Sequence, residues 1–71
     1  SDLYTYIYQN YVYMATVKEK IKDNNELIRQ RLKYVLDMME GSRPADNGTA
    51  IRFINEVRNM LDNNEDLLDR V

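Results

Sequence analysis

The chain alternates apolar and polar positions with a helical period from its first turn. Set Leu3 to zero and advance 100° per residue. Ile7, Asn10, Met14, Val17 and Ile21 then fall within about 40° of Leu3, along one helix stripe. Tyr4, Tyr8 and Tyr11 lie on one flank of that stripe, and Tyr6 and Tyr13 on the other. The far side receives Thr5, Gln9, Thr16, Glu19, Lys20 and Asp23, with Val12 the one apolar exception. Tyrosines that border an aliphatic seam pack a ring and keep a hydroxyl in water. Ser1 or Asp2 supplies an N-cap.

A strand reading competes for the same stretch. Tyr4, Tyr6 and Tyr8 alternate, as do Tyr11 and Tyr13, and Tyr, Thr, Ile and Val favour strands. A turn at Gln9-Asn10 would make residues 3–17 a β-hairpin with a tyrosine ladder on one face. That turn lacks the glycine that two-residue hairpins use. The helix is the preferred reading.

Further along, Asp23-Asn24-Asn25 interrupts the pattern, and Asp23 with Glu26 matches a capping box. A second helix is expected over about 25–40. Ile28, Leu32, Val35, Leu36 and Met39 form its main stripe, and Leu27, Tyr34 and Met38 a second one beside it. Two stripes suit a helix with two neighbours. Gly41 is placed to end it. The loop "GSRPADNG", 41–48, holds both glycines and the only proline. Thr49 or Asp46 then caps a third helix, about 49–70, whose apolar arc runs from Ala50 and Phe53 through Val57 and Met60 to Leu67 and Val71. Asn64 lies inside that arc. A further break near Asp62 is a lesser expectation. "DNNE" occurs at 23–26 and at 62–65, with flanks that do not align as a repeat.

With the first helix at about 2–23, these segments predict an all-α fold: a single small domain built as an antiparallel three-helix bundle. The alternative is an N-terminal β-hairpin followed by two helices. Asn10, Asn24 and Asn64 fall on or near the seams, where a buried asparagine can fix register.

A 71-residue chain buries a modest core and gains from a staple. None is available here: there is no Cys and no His, so disulfides, thiolate metal sites and the commonest metal ligand and general base are missing. The absence of Cys fits an intracellular, reducing compartment. No run of apolar residues is long enough to span a membrane. The chain opens on Ser1 and closes on Leu67, Leu68 and Val71 in an apolar stretch, the pattern of a domain excised from a longer protein or of one trimmed of its initiator Met. Net charge is −2, with a basic middle (Lys18, Lys20, Lys22, Arg29, Arg31, Lys33) and an acidic end (Glu56, Asp62, Glu65, Asp66, Asp69) that could complement each other.

Carboxylate pairs such as Glu19/Asp23 and Asp62/Asp66 have ordinary surface spacing, and no glycine-rich phosphate loop exists, so no enzyme, cofactor or small-molecule substrate is expected. "DNNED", 62–66, begins like a calcium loop but has Leu67 where the obligatory glycine belongs, and no metal is assigned. Lys18, Lys22, Arg29, Arg31 and Lys33 could touch nucleic-acid phosphates, although the chain is acidic overall. Tyrosine and methionine are enriched at protein interfaces. Tyr4, Tyr6, Tyr8, Tyr11, Tyr13 and Tyr34 are therefore the candidate partner-binding residues.

The opening "LYTYIY" resembles the Tyr-rich helical openings of repeats in cullin-type scaffold proteins over fewer than a dozen residues. The resemblance implies a helical start and no residue roles. The expectation is a non-enzymatic interaction or assembly module whose partner is another protein or a second copy. A small nucleic-acid-associated protein using residues 18–33 is the alternative, and a compact inhibitor or immunity-type protein that blocks a larger target is a third.

Overall fold

The structure, a computed structural model, describes residues 2–71. It is a helical hairpin: α1 spans Leu3–Glu40, α2 spans Asn47–Leu68, and a short loop joins them. Among the described residues there is no strand, so the β-hairpin alternative for 3–17 does not occur. The all-α reading holds, and the three-helix bundle is corrected to two helices. The expected first and second helices are one element of 38 residues, continuous through Asp23-Asn24-Asn25.

The reason is where the asparagine side chains go. A helix start at this point would spend them on local backbone N–H groups. Instead Asn24 Nδ2 donates across the hairpin to Asn63 Oδ1 and Asn64 Oδ1, both at 2.8 Å, and Asn64 Nδ2 donates to Asn25 Oδ1 at 2.8 Å. The two "DNNE" segments face each other at the same level of the hairpin. Asn24 is 3% exposed, and the exchange satisfies its amide donors within the seam. The same pairing explains why α2 runs through Asp62 to Leu68 without a break.

The seam is a heptad pattern on both helices. On α1 it reads Val17, Ile21, Asn24, Ile28, Arg31, Val35, Met38, in steps of four and three. On α2 it reads Ala50, Phe53, Val57, Met60, Asn64, Leu67, Val71. The observed cross-helix pairs, Asn24–Asn63, Asn24–Asn64, Asn25–Asn64, Arg31–Glu56 and Tyr34–Phe53, have residue numbers that add to between 87 and 89. Each α1 residue i therefore lies beside a residue near 88 − i, and the helices are antiparallel. The apolar core along this seam consists of Val17, Ile28, Met38, Phe53, Val57 and Leu67, and no large side chain is fully enclosed. One neighbour covers one seam, and that seam draws on both expected stripes: Ile28 of the main stripe and Met38 of the second are buried, while Leu32, Leu36 and Met39 of the main stripe and Leu27 of the second stay exposed with no third helix to cover them.

The loop end is capped on both sides. Gly41 adopts φ 85°; its N–H reaches Met38 O and the Ser42 N–H reaches Asp37 O, the paired bonds of a Schellman stop. Any L-residue at 41 would be strained in that left-handed conformation. Of the two caps expected for the last helix, Asp46 is the one used. Its carboxylate accepts the Thr49 N–H at 3.3 Å and the Thr49 hydroxyl at 2.9 Å. α2 consequently starts at Asn47, two residues before the expected boundary. At the other end Asp2 caps α1 by accepting the Thr5 N–H at 2.9 Å; the Ser1 alternative lies outside the described residues.

The two helices are unequal. With α1 at about 57 Å and α2 at about 33 Å, the register leaves residues 3–16 with nothing opposite them. The molecule measures 59 × 17 × 12 Å, and its radius of gyration is 17.4 Å, where a compact chain of this length has about 11 Å. Its accessible surface is 5825 Å², against about 4,700 Å² for a compact protein of the same mass. We call residues 17–71 the stem and residues 3–16 the arm.

Candidate functional site

The arm continues the stem's seam without a phase change. Counting back from Val17 in heptad steps gives Met14, Asn10, Ile7 and Leu3. These are core positions by pattern, yet Leu3 is 68% exposed, and Ile7 and Met14 are 53% exposed. Asn10 is equivalent to Asn24 by heptad position, two repeats earlier, and it too is exposed. With Leu3, Asn10 and Val17 as d positions, Tyr4 and Tyr11 occupy e, and Tyr6 and Tyr13 occupy g. Every e and g position of the arm is a tyrosine. From Leu3 to Val17 no residue carries a charge.

At the foot of the arm, where α2 ends, lies an open groove of about 620 Å³. Tyr11, Met14, Val17, Ile21, Leu68 and Val71 make its apolar lining, and Lys18 and Lys22 stand at its rim. Neither lysine is in an ion pair among the described residues. This groove is the place where the seam passes from covered to uncovered. Five of the expected partner-binding tyrosines, Tyr4, Tyr6, Tyr8, Tyr11 and Tyr13, lie together on the arm and are exposed.

The sixth is elsewhere. Tyr34 packs edge-to-face on Phe53, with ring centroids 4.9 Å apart, near the loop end of the stem. The Arg43 guanidinium sits 3.7 Å over its ring. Twenty-one residues of helix, about 31 Å, separate it from Tyr13. Phe53 is also covered by Arg31, whose Cζ lies 4.6 Å from the ring centroid. Arg31 Nε in turn donates to Glu56 Oε2 at 2.7 Å. Arg31 thus fills a seam position by laying its guanidinium over an aromatic ring and its charge on a carboxylate. This ion pair also joins the basic middle of the sequence to its acidic end, within one fold.

The candidate nucleic-acid contacts are dispersed. Lys18 and Lys22 belong to the groove. Arg31 is paired with Glu56, and Lys33 with Asp37 at 2.7 Å, one turn along the same helix. The Asp37 bond and charge raise the Lys33 ammonium above its ordinary value. Arg29 lines a shallow depression with Gln30, Lys33, Tyr34, Asp37 and Arg43, in which Asp37 offsets the positive charge. No group of three or more potential metal-ligating side chains occurs among the described residues. No helix of the described residues is long and apolar enough to cross a membrane.

The chain matches no family model, no curated protein and no solved structure. Sequence reasoning identified the tyrosines, and the heptad phase of Leu3 to Val17 carried further information. Extending that phase through Asp23-Asn24-Asn25, instead of stopping at the asparagines, brings the two "DNNE" segments level and exposes the arm.

Proposed function

We propose that this protein is a non-enzymatic interaction and assembly module whose working surface is the arm. One observation carries the reading: a helix seam with core spacing, apolar residues and tyrosine flanks extends about four turns past the only helix that covers it. Exposed apolar surface of this extent on a small chain marks a surface for association. Tyrosine supplies large contact area at little conformational cost, which suits it to such a surface. The inhibitor reading uses this same surface and differs only in what is bound. The nucleic-acid alternative is less well supported, because two of its five cations are held in intramolecular ion pairs.

The test is site-specific photocrosslinking in cells making the full protein, with the photoreactive residue at Tyr8, Tyr11 or, as a stem control, Gln30. Protein adducts from the arm positions and not from Gln30 support an arm-centred module. No adducts from the arm, or equal adducts from Gln30, overturn it.

A further inference from the structure

We infer that the occupant of the arm is the arm of a second copy, paired antiparallel about a two-fold axis. This rests on the reading of the arm as an interaction surface and names its partner. Three features of the chain are self-complementary in that arrangement, and the third, the charge at the two ends of the arm, sets it apart from a parallel pair, which would bring Asp2 to Asp2 and Lys18 to Lys18.

The first is the seam. In the stem, a positions face d positions across an antiparallel pair. Applied to two arms, the same rule sets Leu3 of one copy opposite Met14 of the second, and Ile7 opposite Asn10. The stem's interface thus continues into the dimer with no change of register or packing class. The two Asn10 amides fall in adjacent layers, three residues apart, about 4.5 Å along the axis. In the stem, Asn24 bonds across the hairpin to Asn63 and Asn64, each within one residue of its own level.

The second is the flanks. In an antiparallel pair, e positions meet e positions and g positions meet g positions. Tyr4 of one copy then lies beside Tyr11 of the other, and Tyr6 beside Tyr13, each contact occurring twice. Charges of one sign at these positions would repel between identical chains, and charges of mixed sign would admit a different partner. Uncharged rings avoid both outcomes.

The third is charge at the ends. Asp2 is the only charged residue before Lys18 in the described chain. In the two-fold pair, Asp2 of the second copy reaches the foot of the first arm, about one helical turn from Lys18, with Lys22 one turn further on. The groove at that point is apolar, with these two ammonium groups, neither ion-paired among the described residues, at its rim, so the incoming helix start finds both its apolar and its ionic complement.

The experiment combines sedimentation velocity with disulfide trapping, which the absence of Cys makes clean. Across a hundredfold range of concentration, the full protein should pass from monomer to dimer. After oxidation, the double variants Tyr4→Cys/Tyr11→Cys and Tyr6→Cys/Tyr13→Cys should run as covalent dimers. Tyr6→Cys/Tyr11→Cys, whose g and e positions meet only in a parallel pair, should not, and neither should Tyr4→Cys/Tyr13→Cys. Asp2→Lys or Lys18→Asp should each weaken the dimer about threefold at low salt, and the two changes together should restore it. Asp2→Asn, which keeps the cap, separates loss of charge from loss of the helix start. A monomer at every concentration overturns self-pairing; if arm-centred adducts to another protein still form, the module reading survives without it. A dimer trapped by Tyr6→Cys/Tyr11→Cys, or one indifferent to all of these cysteine pairs, overturns the antiparallel arm geometry.

Discussion

The stem and the arm are the same helix read twice. Both carry an apolar residue or an asparagine at the three- and four-residue steps, Arg31 of the stem excepted, and α1 passes from one to the other as a single continuous helix. In the stem, Val17 is 5% exposed and Asn24 3%. In the arm, Leu3 and Tyr4 are 68% and 82% exposed. The residue pattern that makes a core in one region makes an open surface in the other, because burial is a property of the pair and not of the helix. What distinguishes the two regions in sequence is the border of the seam. The stem's borders include Lys18, Lys20, Leu27 and Glu56, whereas the arm's are all tyrosine.

The sharpest break in the comparison is Phe53→Ala. Phe53 is the ring that Tyr34 and Arg31 both cover, and removing it should cost the stem about 3 kcal/mol. Met14→Ala, at an equivalent core position of the arm, should change monomer stability by less than about 0.5 kcal/mol. Urea denaturation at low protein concentration measures both. Equal losses would mean that the arm is packed in the monomer after all.

Next come the asparagines. Asn24→Ala removes the donor to both Asn63 and Asn64 and should cost about 2 kcal/mol, lowering the melting temperature by roughly 10 °C. Asn10→Ala should leave the monomer's melting temperature where it was. The double change Asn24→Leu/Asn64→Leu should raise stability while loosening register, since apolar layers slide where an asparagine layer does not. Doubled amide resonances in that variant would show the slippage; a single sharp set would deny the asparagines that role.

Smaller still is the monomer effect of Tyr8→Ala/Tyr11→Ala. Dilute stability should hold within about 0.5 kcal/mol, while association through the arm weakens. Equal thermal loss with unchanged association would move these tyrosines from the interaction surface into the fold.

The smallest effect is acid sensitivity at the two helix starts. The Thr5 N–H holds the Asp2 carboxyl below its ordinary 3.8, and the Thr49 hydroxyl and N–H do the same for Asp46. A lowered folded-state value means that each cap's contribution is present above the ordinary value and is lost as pH falls through the folded one. Both helix starts should therefore hold at pH 5 and fray below about pH 3.8. The Thr5 and Thr49 amide shifts report each start separately. Asp46 anchors a helix packed in the stem and Asp2 a free arm, so fraying should spread further from Thr5 than from Thr49.

Much of this architecture was legible along the chain. The period of Leu3, Ile7, Asn10, Met14 and Val17 made the opening a helix against the strand preference of its tyrosines, because 3.6-residue spacing outweighs propensity over a long run. Gly41 and Asp46 marked the loop, because a left-handed stop and a carboxylate cap are local devices. The tyrosines' crowding onto one segment identified the candidate surface. The number of helices was not legible in the same way. Asp23-Asn24-Asn25 has the local chemistry of a helix start, and only the presence of Asn63 and Asn64 opposite turns those side chains outward into a cross-helix bond and lets the helix run on. Likewise the seam of residues 3–16 has the spacing of a core whether or not anything covers it. Sequence by itself determined the helices, their caps and their apolar stripes, since each depends on neighbours within a turn. Tertiary structure decided which stripe is buried, which asparagines are paired and which tyrosines are free, since each of those depends on how far α2 reaches along α1.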